Sequence, residues 1–330
     1  MALACRSATW PGRSAERPAP NGCVAGRTSS PASSSRSPPR VKEAPVLTPD
    51  SPYEERFAAL NQSLRWEVAD ELRRANLARV DELHPPVTPR DTFYTRHGKR
   101  ALDVGVSGAA LLFSSPVIGA LCLVTLKDLG QPVLFTQQRP GKHGKPFQMV
   151  KLRTMREAYD DQGKPLLGEL RVTKTGRLIR RASLDELLNF WNIFKGDMSL
   201  IGPRPLVPEY VERFSRRHRQ RLAVKPGLEC PPPRPPQGPV TYDDQFENDC
   251  WYVENVSLKT DAWLTWRVLQ TALDRRQNKA RGSSTRGSFM GYDADGTVIT
   301  TAALPDWALN TVLERHGLLT SNSADARQEG

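Results

Sequence analysis

The sequence predicts a small α+β fold that is predominantly helical and associated with a membrane. No charged residue lies between Asp103 and Lys127, which is typical of a segment that enters lipid. Residues 132–152 alternate apolar and polar side chains around glycine-containing turns, and this pattern indicates a β-hairpin. Elsewhere apolar residues recur at helical spacing, so helices should account for most of the folded chain.

Composition predicts tails around a smaller folded centre. Only 38% of the 330 residues are hydrophobic and 28 residues are proline, so part of the chain cannot form a packed core. Residues 1–52 are rich in Ser, Pro and Arg and predict a disordered tail, without the apolar segment and cleavage site of a secretory signal. We expect a helical extension over 53–97, the main domain over 98–275 and a C-terminal extension over 276–330.

Charge and cysteine content narrow the choice of partner and compartment. The chain carries 47 Lys and Arg against 36 Asp and Glu, a formal net charge of +11. This excess favours an anionic partner such as nucleic acid, anionic lipid or a phosphorylated substrate. The five cysteines form no C-x-x-C pair, so neither a zinc site nor a disulfide framework is expected and a reducing, cytoplasmic location is the simplest inference.

The uncharged run predicts a membrane segment with a break at its middle. Its 23 residues would measure about 35 Å as a straight helix, enough to cross a hydrocarbon core of about 30 Å. Pro116 follows Ser115 at the centre, and because proline lacks a backbone N–H, the helix should kink or break there. Three basic residues precede the run and predict a cytoplasmic start: Arg96, Lys99 and Arg100. A re-entrant hairpin over 101–127 is therefore favoured over a spanning helix.

Two adjacent carboxylates, Asp185 and Glu186, open a predicted helix in the stretch SLDELLNFWNIFKGDM. Ser183 and Glu186 match a capping box, which is a purely structural explanation. Adjacent residues on a helix diverge by about 100°, so the two carboxylates could instead take separate roles. One could attack phosphorus while the other holds Mg²⁺ beside substrate phosphates. Spacing alone leaves both interpretations open.

Arg204 lies between two prolines in the stretch SLIGPRPLVPEY, which predicts a rigid loop. A fixed guanidinium suits bidentate recognition of phosphate. Pro208 should then begin an amphipathic helix that lies on anionic lipid, with nucleic-acid binding as the weaker alternative. Its cationic face comprises Arg213, Arg216, Arg217, Arg219 and Arg221.

Three further patterns carry weaker predictions. The cations of the predicted hairpin could contact phosphates or form a solvated face: Arg139, Lys142, Lys145, Lys151 and Arg153. A second interfacial helix is predicted around Trp263, Leu264, Trp266 and Leu269. In the C-terminal extension we expect a hairpin around Asp295-Gly296 and a helix from Asp306. Asp293 and Asp295 lack the closing Glu of a calcium loop, so a turn is favoured there.

The order of several motifs resembles the bacterial sugar transferase family. These are KRALD, the apolar run with its central Ser-Pro, QQRPGKHGKPFQMVKLRTM, TKTGRLIRRASLDELLNFWNIFKGDMSLIGPRP, RLAVKPGL and DCWYVENVSLKTD. The resemblance extends from about Lys99 to Leu273. It implies a monotopic phosphoglycosyl transferase that moves a phospho-sugar from a UDP-sugar to polyprenyl (undecaprenyl) phosphate and releases UMP. Such enzymes initiate exopolysaccharide and glycoconjugate synthesis.

The resemblance also implies roles for individual residues. Asp185 is similar to the family's covalent nucleophile and Glu186 to its Mg²⁺-binding partner. Four cations match motifs expected to line the phosphate site, and an acidic residue matches a weaker motif: Arg139, Lys151, Arg153, Arg204 and Asp249. Ser115 and Pro116 match the family's helix break, which would keep both termini at the cytoplasmic face of the bacterial inner membrane. Expected partners are the two substrates, membrane lipid and other polysaccharide-assembly enzymes, and not nucleic acid.

The chain departs from the family pattern after VKPGL. The family continues with a T-G-x-x-Q-type loop, whereas this chain reads ECPPPRPPQG. That region shapes the nucleotide or sugar pocket in family members, so the sugar is not predicted. A catalytically impaired member that acts as a membrane scaffold is the alternative hypothesis.

Overall fold

The computed structural model describes residues 47–159, 166, 168–233, 238, 240–273 and 286–319. Within these ranges helices predominate over short strands, as expected from the sequence. The helices are α1 (Tyr53–Ala59), α2 (Gln62–Leu83), α3 (Lys99–Leu129), α4 (Gly168–Arg171), α5 (Lys174–Arg181), α6 (Asn189–Lys195), α7 (Arg216–Arg219), α8 (Tyr242–Asn255), α9 (Leu258–Leu273) and α10 (Asp306–Arg315). The strands are β1 (Leu134–Pro140), β2 (Pro146–Leu152), β3 (Ser199–Ile201), β4 (Gly227–Glu229), β5 (Phe289–Tyr292) and β6 (Val298–Thr300).

The apolar run forms one uninterrupted helix, α3, with Pro116 inside it. Over the part of the chain that the structure describes, this is the helix long and apolar enough to cross a membrane. Its large side chains face outward, with Leu112 71% and Phe113 81% exposed. The expected break is absent from the backbone path. Pro116 cannot donate to the carbonyl of Leu112, and the Ser115 hydroxyl donates to that carbonyl instead, at 2.8 Å.

Both ends of α3 are hydrogen-bonded to the same folded domain. At its start the Lys99 Nζ lies 2.5 Å from a carboxylate oxygen of Asp261 in α9. At its end the hydroxyl of Thr173 donates to the Asp128 carboxylate at 2.6 Å. Arg153, which follows β2, donates to the carbonyl of Leu129, the last residue of the helix. The helix therefore lies along the domain instead of leading away from it.

The predicted hairpin over 132–152 is confirmed. Strands β1 and β2 pair antiparallel from Leu134 opposite Leu152 to Pro140 opposite Pro146. Helix α6 is fastened to the edge of β2 by Asn192, whose amide donates to the carbonyl of Gln148 at 2.7 Å. The same side chain accepts from the Val150 N–H at 3.1 Å.

A second, parallel pair of strands supports the proline-flanked loop. β3 pairs with β4, Ser199 opposite Gly227 and Ile201 opposite Glu229. Gly227 crosses so close to Gly202 that a Cβ on Gly227 would lie 2.2 Å from the Gly202 nitrogen. Only a residue without a side chain allows this approach, so the loop after β3 is anchored directly on the backbone that leads into β4.

The prediction of an amphipathic helix from Pro208 is wrong. A single 3-10 turn, Pro208–Tyr210, is followed by a loop and then by the four-residue helix α7. Two of the expected lipid-facing cations are buried: Arg213 is 5% exposed and Arg221 is 3% exposed. Arg213 stacks on the Trp66 ring and Arg221 pairs with an aspartate, so tertiary partners outweigh the exposed helical face.

The amphipathic character predicted for residues 263–269 is present in α9. Trp263, Trp266 and Leu269 are exposed, whereas Leu264 is fully buried and packs in the domain core. One predicted member of the interfacial surface therefore belongs to the interior, because Leu264 lies on the opposite face of the helix.

Segments from the two ends of the chain form a separate core. Residues 47–84 and 286–319 together bury a cluster of apolar side chains that includes Leu60, Leu72, Met290, Leu309 and Val312. Leu47, within the tail predicted to be disordered, is buried and bridges to Leu319, whereas residues 1–46 lie outside the described residues.

The two elements expected in the C-terminal extension are confirmed. β5 and β6 form an antiparallel hairpin around Asp295-Gly296, and α10 begins at Asp306. The carboxylate of Asp293 accepts from the N–H groups of Asp295 and Thr297, which is the hydrogen-bond pattern of a turn.

Candidate active site

The two adjacent carboxylates lie in a short 3-10 turn, Leu184–Glu186, between α5 and α6. The predicted capping box is wrong, because Ser183 has a left-handed backbone (φ 53°) and its side chain makes no capping hydrogen bond. A serine in this region is strained, and such strain is often found at functional sites. The predicted helix begins only at Asn189, so Asp185 and Glu186 stand on an irregular connection instead of a regular helix.

Glu186 is held by two cations from distant parts of the chain. Its Oε1 lies 2.7 Å from the Lys151 Nζ at the end of β2 and 2.5 Å from an Nη of Arg204. Although burial raises it, Arg204 and Lys151 lower the pKa of Glu186 to about 2. Glu186 is therefore ionised throughout the physiological range.

Asp185 lies in a different environment from its neighbour. It is half-buried, and burial followed by the charge of Glu186 raises its pKa, while Lys151 and Arg180 oppose this shift. Arg180 is fixed by its Nε donating to the Thr154 hydroxyl at 2.7 Å. Two adjacent carboxylates with pKa values shifted in opposite directions are suited to different chemical roles.

Lys151 is positioned by strand β2, and Arg204 by the loop that follows β3. The N–H of Val150, the residue before Lys151, donates to the Asn192 side chain of α6. The part of β2 that presents the Lys151 amine is therefore fixed against α6. The other Nη of Arg204 donates a hydrogen bond to the carbonyl of Leu228 in β4 at 3.0 Å. The loop that the two prolines predict to be rigid is therefore also held in place through the Arg204 side chain.

Arg221 is a residue that sequence reasoning assigned to a lipid-facing helix and that instead supports Arg204. One Nη donates to the backbone carbonyl of Arg204 at 2.9 Å. The same nitrogen lies 2.7 Å from the carboxylate of Asp249, and both side chains are 2% exposed. Local spacing offers no signal for this role, because the burial of Arg221 depends on α8.

The predicted phosphate-site residues fall into two groups. Lys151 and Arg204 lie together at Glu186, and Arg139 lies near Arg204: burial and the nearby charge of Arg204 lower the pKa of Arg139. The Arg139 Nε is buried and has no hydrogen-bond partner among the described residues. Arg153 and Asp249 lie apart from the carboxylate pair, Arg153 capping the end of α3 and Asp249 pairing with Arg221.

The donor set fits a metal ion only in a limited way. The described residues hold no cluster of three or more His, Cys, Asp or Glu side chains. Asp185 and Glu186 provide adjacent carboxylates, and Mg²⁺ typically takes one or two carboxylates and completes its shell with water and phosphate. The residues present therefore fit an ion that is bound together with a phosphorylated substrate.

Comparison with known proteins gives a family for this arrangement. The profile of the bacterial sugar transferases matches residues 94–275, which include both carboxylates and the cations around them. An uncharacterized sugar transferase of Bacillus subtilis, EpsL, is 41% identical over 163 residues, 49% of this chain and 81% of the relative.

Two relatives with named activities match over a smaller part of their length. The undecaprenyl-phosphate galactose phosphotransferase of Salmonella typhimurium is 33% identical over 55% of this chain and 41% of its own. The UDP-glucose:undecaprenyl-phosphate glucose-1-phosphate transferase of Caulobacter vibrioides is 43% identical over 39% of this chain and 51% of its own. The chain thus spans about half or less of these two proteins, and their names indicate transfer of a sugar phosphate to undecaprenyl phosphate. With the profile match over more than half its length, the chain belongs to the bacterial sugar transferase family and is a transferase enzyme.

Proposed function

We propose that this protein transfers a phospho-sugar from a UDP-sugar to polyprenyl (undecaprenyl) phosphate at the cytoplasmic face of the inner membrane, releasing UMP. The observation that carries the proposal is the adjacent pair Asp185 and Glu186, of which Glu186 binds Lys151 and Arg204 directly, on a domain that carries an exposed apolar helix. A water-soluble anion and a lipid phosphate could both reach such a site.

Asp185 is proposed as the nucleophile. A carboxylate oxygen forms a bond to the sugar-bearing phosphorus of the UDP-sugar, the bond to the bridging oxygen breaks, and UMP leaves with the electron pair. The raised pKa of Asp185 supports this role, because a more basic carboxylate is a better nucleophile. An oxygen of polyprenyl phosphate then attacks the same phosphorus, and the Asp185 carboxylate is released unchanged.

Lys151 and Arg204, which bind Glu186 in this structure, are also proposed to bind the substrate phosphates. A carboxylate nucleophile and two anionic substrates repel one another, so the site needs positive charge close to the transferred group. Arg139 can add a third cation, since its buried Nε has no hydrogen-bond partner among the described residues and Arg204 lies close to it. Asp249 acts at a distance, through Arg221 and the Arg204 backbone.

Glu186 is the residue proposed to hold Mg²⁺, beside Asp185. When bound, Mg²⁺ would neutralise phosphate charge and orient the transferred group. The Glu186 carboxylate is ionised and therefore ready to serve as a ligand, although in this structure Lys151 and Arg204 compete for its oxygens. With Glu186 holding the ion, Lys151 and Arg204 would be available to the substrate phosphates.

A same-face, monotopic topology is proposed for α3. Its 31 residues would measure about 46 Å along the helix, yet both ends are bonded to one domain. A helix crossing the bilayer would place its two ends on opposite sides, so these contacts support a topology in which both ends of α3 lie at the same face of the membrane. We propose that in lipid the helix reaches this topology by bending around Ser115 and Pro116. The carbonyl freed by Pro116 already accepts from Ser115, which makes bending there less costly.

Cysteine labelling tests the topology. Ala101→Cys and Lys127→Cys place thiols at exposed positions near the two ends of α3. With a membrane-impermeant reagent and mapping by mass spectrometry, both should be labelled only in inverted vesicles, whose cytoplasmic face is outward. Labelling of the two positions from opposite sides would establish a spanning helix and overturn the proposal.

A UMP-release assay tests the function. The full-length protein in nanodiscs should release UMP with Mg²⁺, undecaprenyl phosphate and a UDP-sugar carrying galactose, glucose or N-acetylgalactosamine, the sugars named for its relatives. The product should be a lipid-linked sugar diphosphate. Absence of UMP release across the panel, with intact membrane association, would instead support the impaired scaffold that the altered ECPPPRPPQG loop suggested.

A further inference from the structure

The segments at the two ends of the chain, residues 47–84 and 286–319, form one structural unit that we call the terminal module. They lie outside residues 94–275, the part matched by the family profile. Their core is fully buried, with Leu72, Met290, Leu309 and Val312 each at 0% exposure. The module is therefore a packed addition to the transferase domain, and its contacts with that domain show what it can influence.

Phe289 in β5 is one of the residues through which the module contacts the transferase domain, as are Tyr292 and Asp81. Its ring is completely buried among aromatic side chains of that domain. It stacks on Phe214 at 5.7 Å between ring centroids and meets the edge of Phe246 at 5.2 Å and of Tyr210 at 5.3 Å. Phe289 thus occupies the centre of an aromatic block to which both units contribute.

The same block carries the arginine that supports the active-site loop. The Arg221 guanidinium lies 5.4 Å from the centroid of Phe214 and 5.4 Å from that of Phe246, the two rings that Phe289 contacts. Arg221 in turn donates to the backbone carbonyl of Arg204, whose side chain binds Glu186. A continuous set of contacts therefore joins Phe289 to the candidate catalytic carboxylates.

We propose that Phe289 is a remote positioning residue, through which the terminal module sets the placement of the Arg204 guanidinium at the substrate phosphates. The inference rests on the proposed function and adds to it a role for residues outside the family profile. Phe289 packs against the Phe214 and Phe246 rings, and the Arg221 guanidinium lies against these two rings while it pairs with Asp249. Arg221 then fixes the carbonyl at the base of the Arg204 side chain.

The geometry explains why a distant ring can matter. Arg204 is flanked by Pro203 and Pro205, so its backbone has little freedom of its own, and among the described residues Arg221 is the side chain that donates to its carbonyl. A shift of about 1 Å in a positioning group can cost about a hundred-fold in rate. Removing the Phe289 ring leaves space beside Phe214 and Phe246, the rings against which Arg221 packs. The Arg221 guanidinium can then move away from the Arg204 carbonyl.

The test compares Phe289 with a control in the same module. Phe289→Ala removes the ring, and Phe289→Leu keeps most of its volume and protects folding. Leu309→Ala is the matched control, because Leu309 is equally buried in the module core and belongs to a different cluster from Phe289. The full-length variants are compared in nanodiscs for UDP affinity with Mg²⁺, kcat of UMP release, and melting temperature.

Both Phe289 variants should weaken UDP binding and lower kcat by about ten-fold or more. Leu309→Ala should lower the melting temperature comparably and leave the UDP affinity and kcat of the folded protein within about two-fold. In the Arg204→Lys background, Phe289→Leu should cause no further loss of UDP affinity, because the group that it positions has gone. The inference would be overturned if Phe289→Leu weakened UDP binding equally in the wild-type and Arg204→Lys backgrounds. It would also be overturned if the Phe289 and Leu309 variants had equal effects on UDP affinity and kcat.

The wild-type protein separates this outcome from a failure of the proposed function. If it binds no UDP and releases no UMP from any donor, the proposed function is wrong. If it is active and the Phe289 variants behave like Leu309→Ala, the transferase function stands and the terminal module serves stability alone.

Discussion

Asp185→Asn should reduce UMP release by at least about a thousand-fold, the scale on which loss of a covalent nucleophile is measured. An amide oxygen is a far weaker nucleophile than a carboxylate, and the variant keeps the shape of the side chain. Fold and membrane association should be unchanged, because Glu186, and not Asp185, holds the ion pairs with Lys151 and Arg204. The measurement is UMP release in nanodiscs with the donor that the wild type prefers.

Two further measurements make this prediction specific. Asp295→Asn, at an exposed turn of the terminal hairpin, is the control for the chemical change and should retain wild-type turnover. Without polyprenyl phosphate, the wild type should release up to about one UMP per protein molecule, since the first half-reaction needs only the donor. UMP release by Asp185→Asn at near wild-type rate would exclude Asp185 as the nucleophile.

Asp249→Ala should lower the free energy of unfolding by about 3–5 kcal/mol, because it leaves the buried Arg221 charge without its partner. Asp91→Ala is the control, since the Asp91–Arg96 pair is solvent-exposed on both sides and should have no measurable effect on stability. Thermal unfolding in the same nanodiscs measures both variants. Equal melting temperatures for Asp249→Ala and Asp91→Ala would contradict the structural importance of the buried pair.

A double variant separates the stability of this pair from its effect on the site. Asp249→Leu combined with Arg221→Met replaces the ion pair by apolar side chains of similar size, a change that is often neutral for stability. The melting temperature should recover, whereas UDP affinity should remain weak, because the carbonyl of Arg204 has lost its donor. Recovery of both properties would mean that Arg221 supports only the fold.

Motif order and local pattern were sufficient for the overall outline of the molecule. The apolar run, the hairpin over 132–152, the turn at Asp295 and the helix from Asp306 follow from residue type and spacing, and the structure has each of them. These features depend on neighbours within a few residues: alternation for strands, uncharged length for the long apolar helix, and glycine or aspartate for turns. Membership of the family also follows from local segments in order.

Two local predictions that are wrong show what residue spacing leaves out. The capping box at Ser183 and the basic helix from Pro208 were both sound by spacing, but Ser183 has a left-handed backbone and Arg221 is buried. Spacing alone predicts that a cation on an amphipathic helix is solvated. A carboxylate from a distant part of the chain can neutralise that cation and allow its burial. Asp249 lies 28 residues away from Arg221 in the sequence, so spacing carries no information about that pairing.

The active site shows the same division between local and long-range information. Asp185, Glu186 and Arg204 could be chosen as candidates from their motifs, since residue type and backbone restriction are local properties. Their common location could not, because Glu186 meets Lys151 and Arg204 across separations of 35 and 18 residues. Charge pairs form wherever folding brings opposite charges together out of water, and that choice belongs to the packing of β2, the β3 loop and α8, not to any one segment.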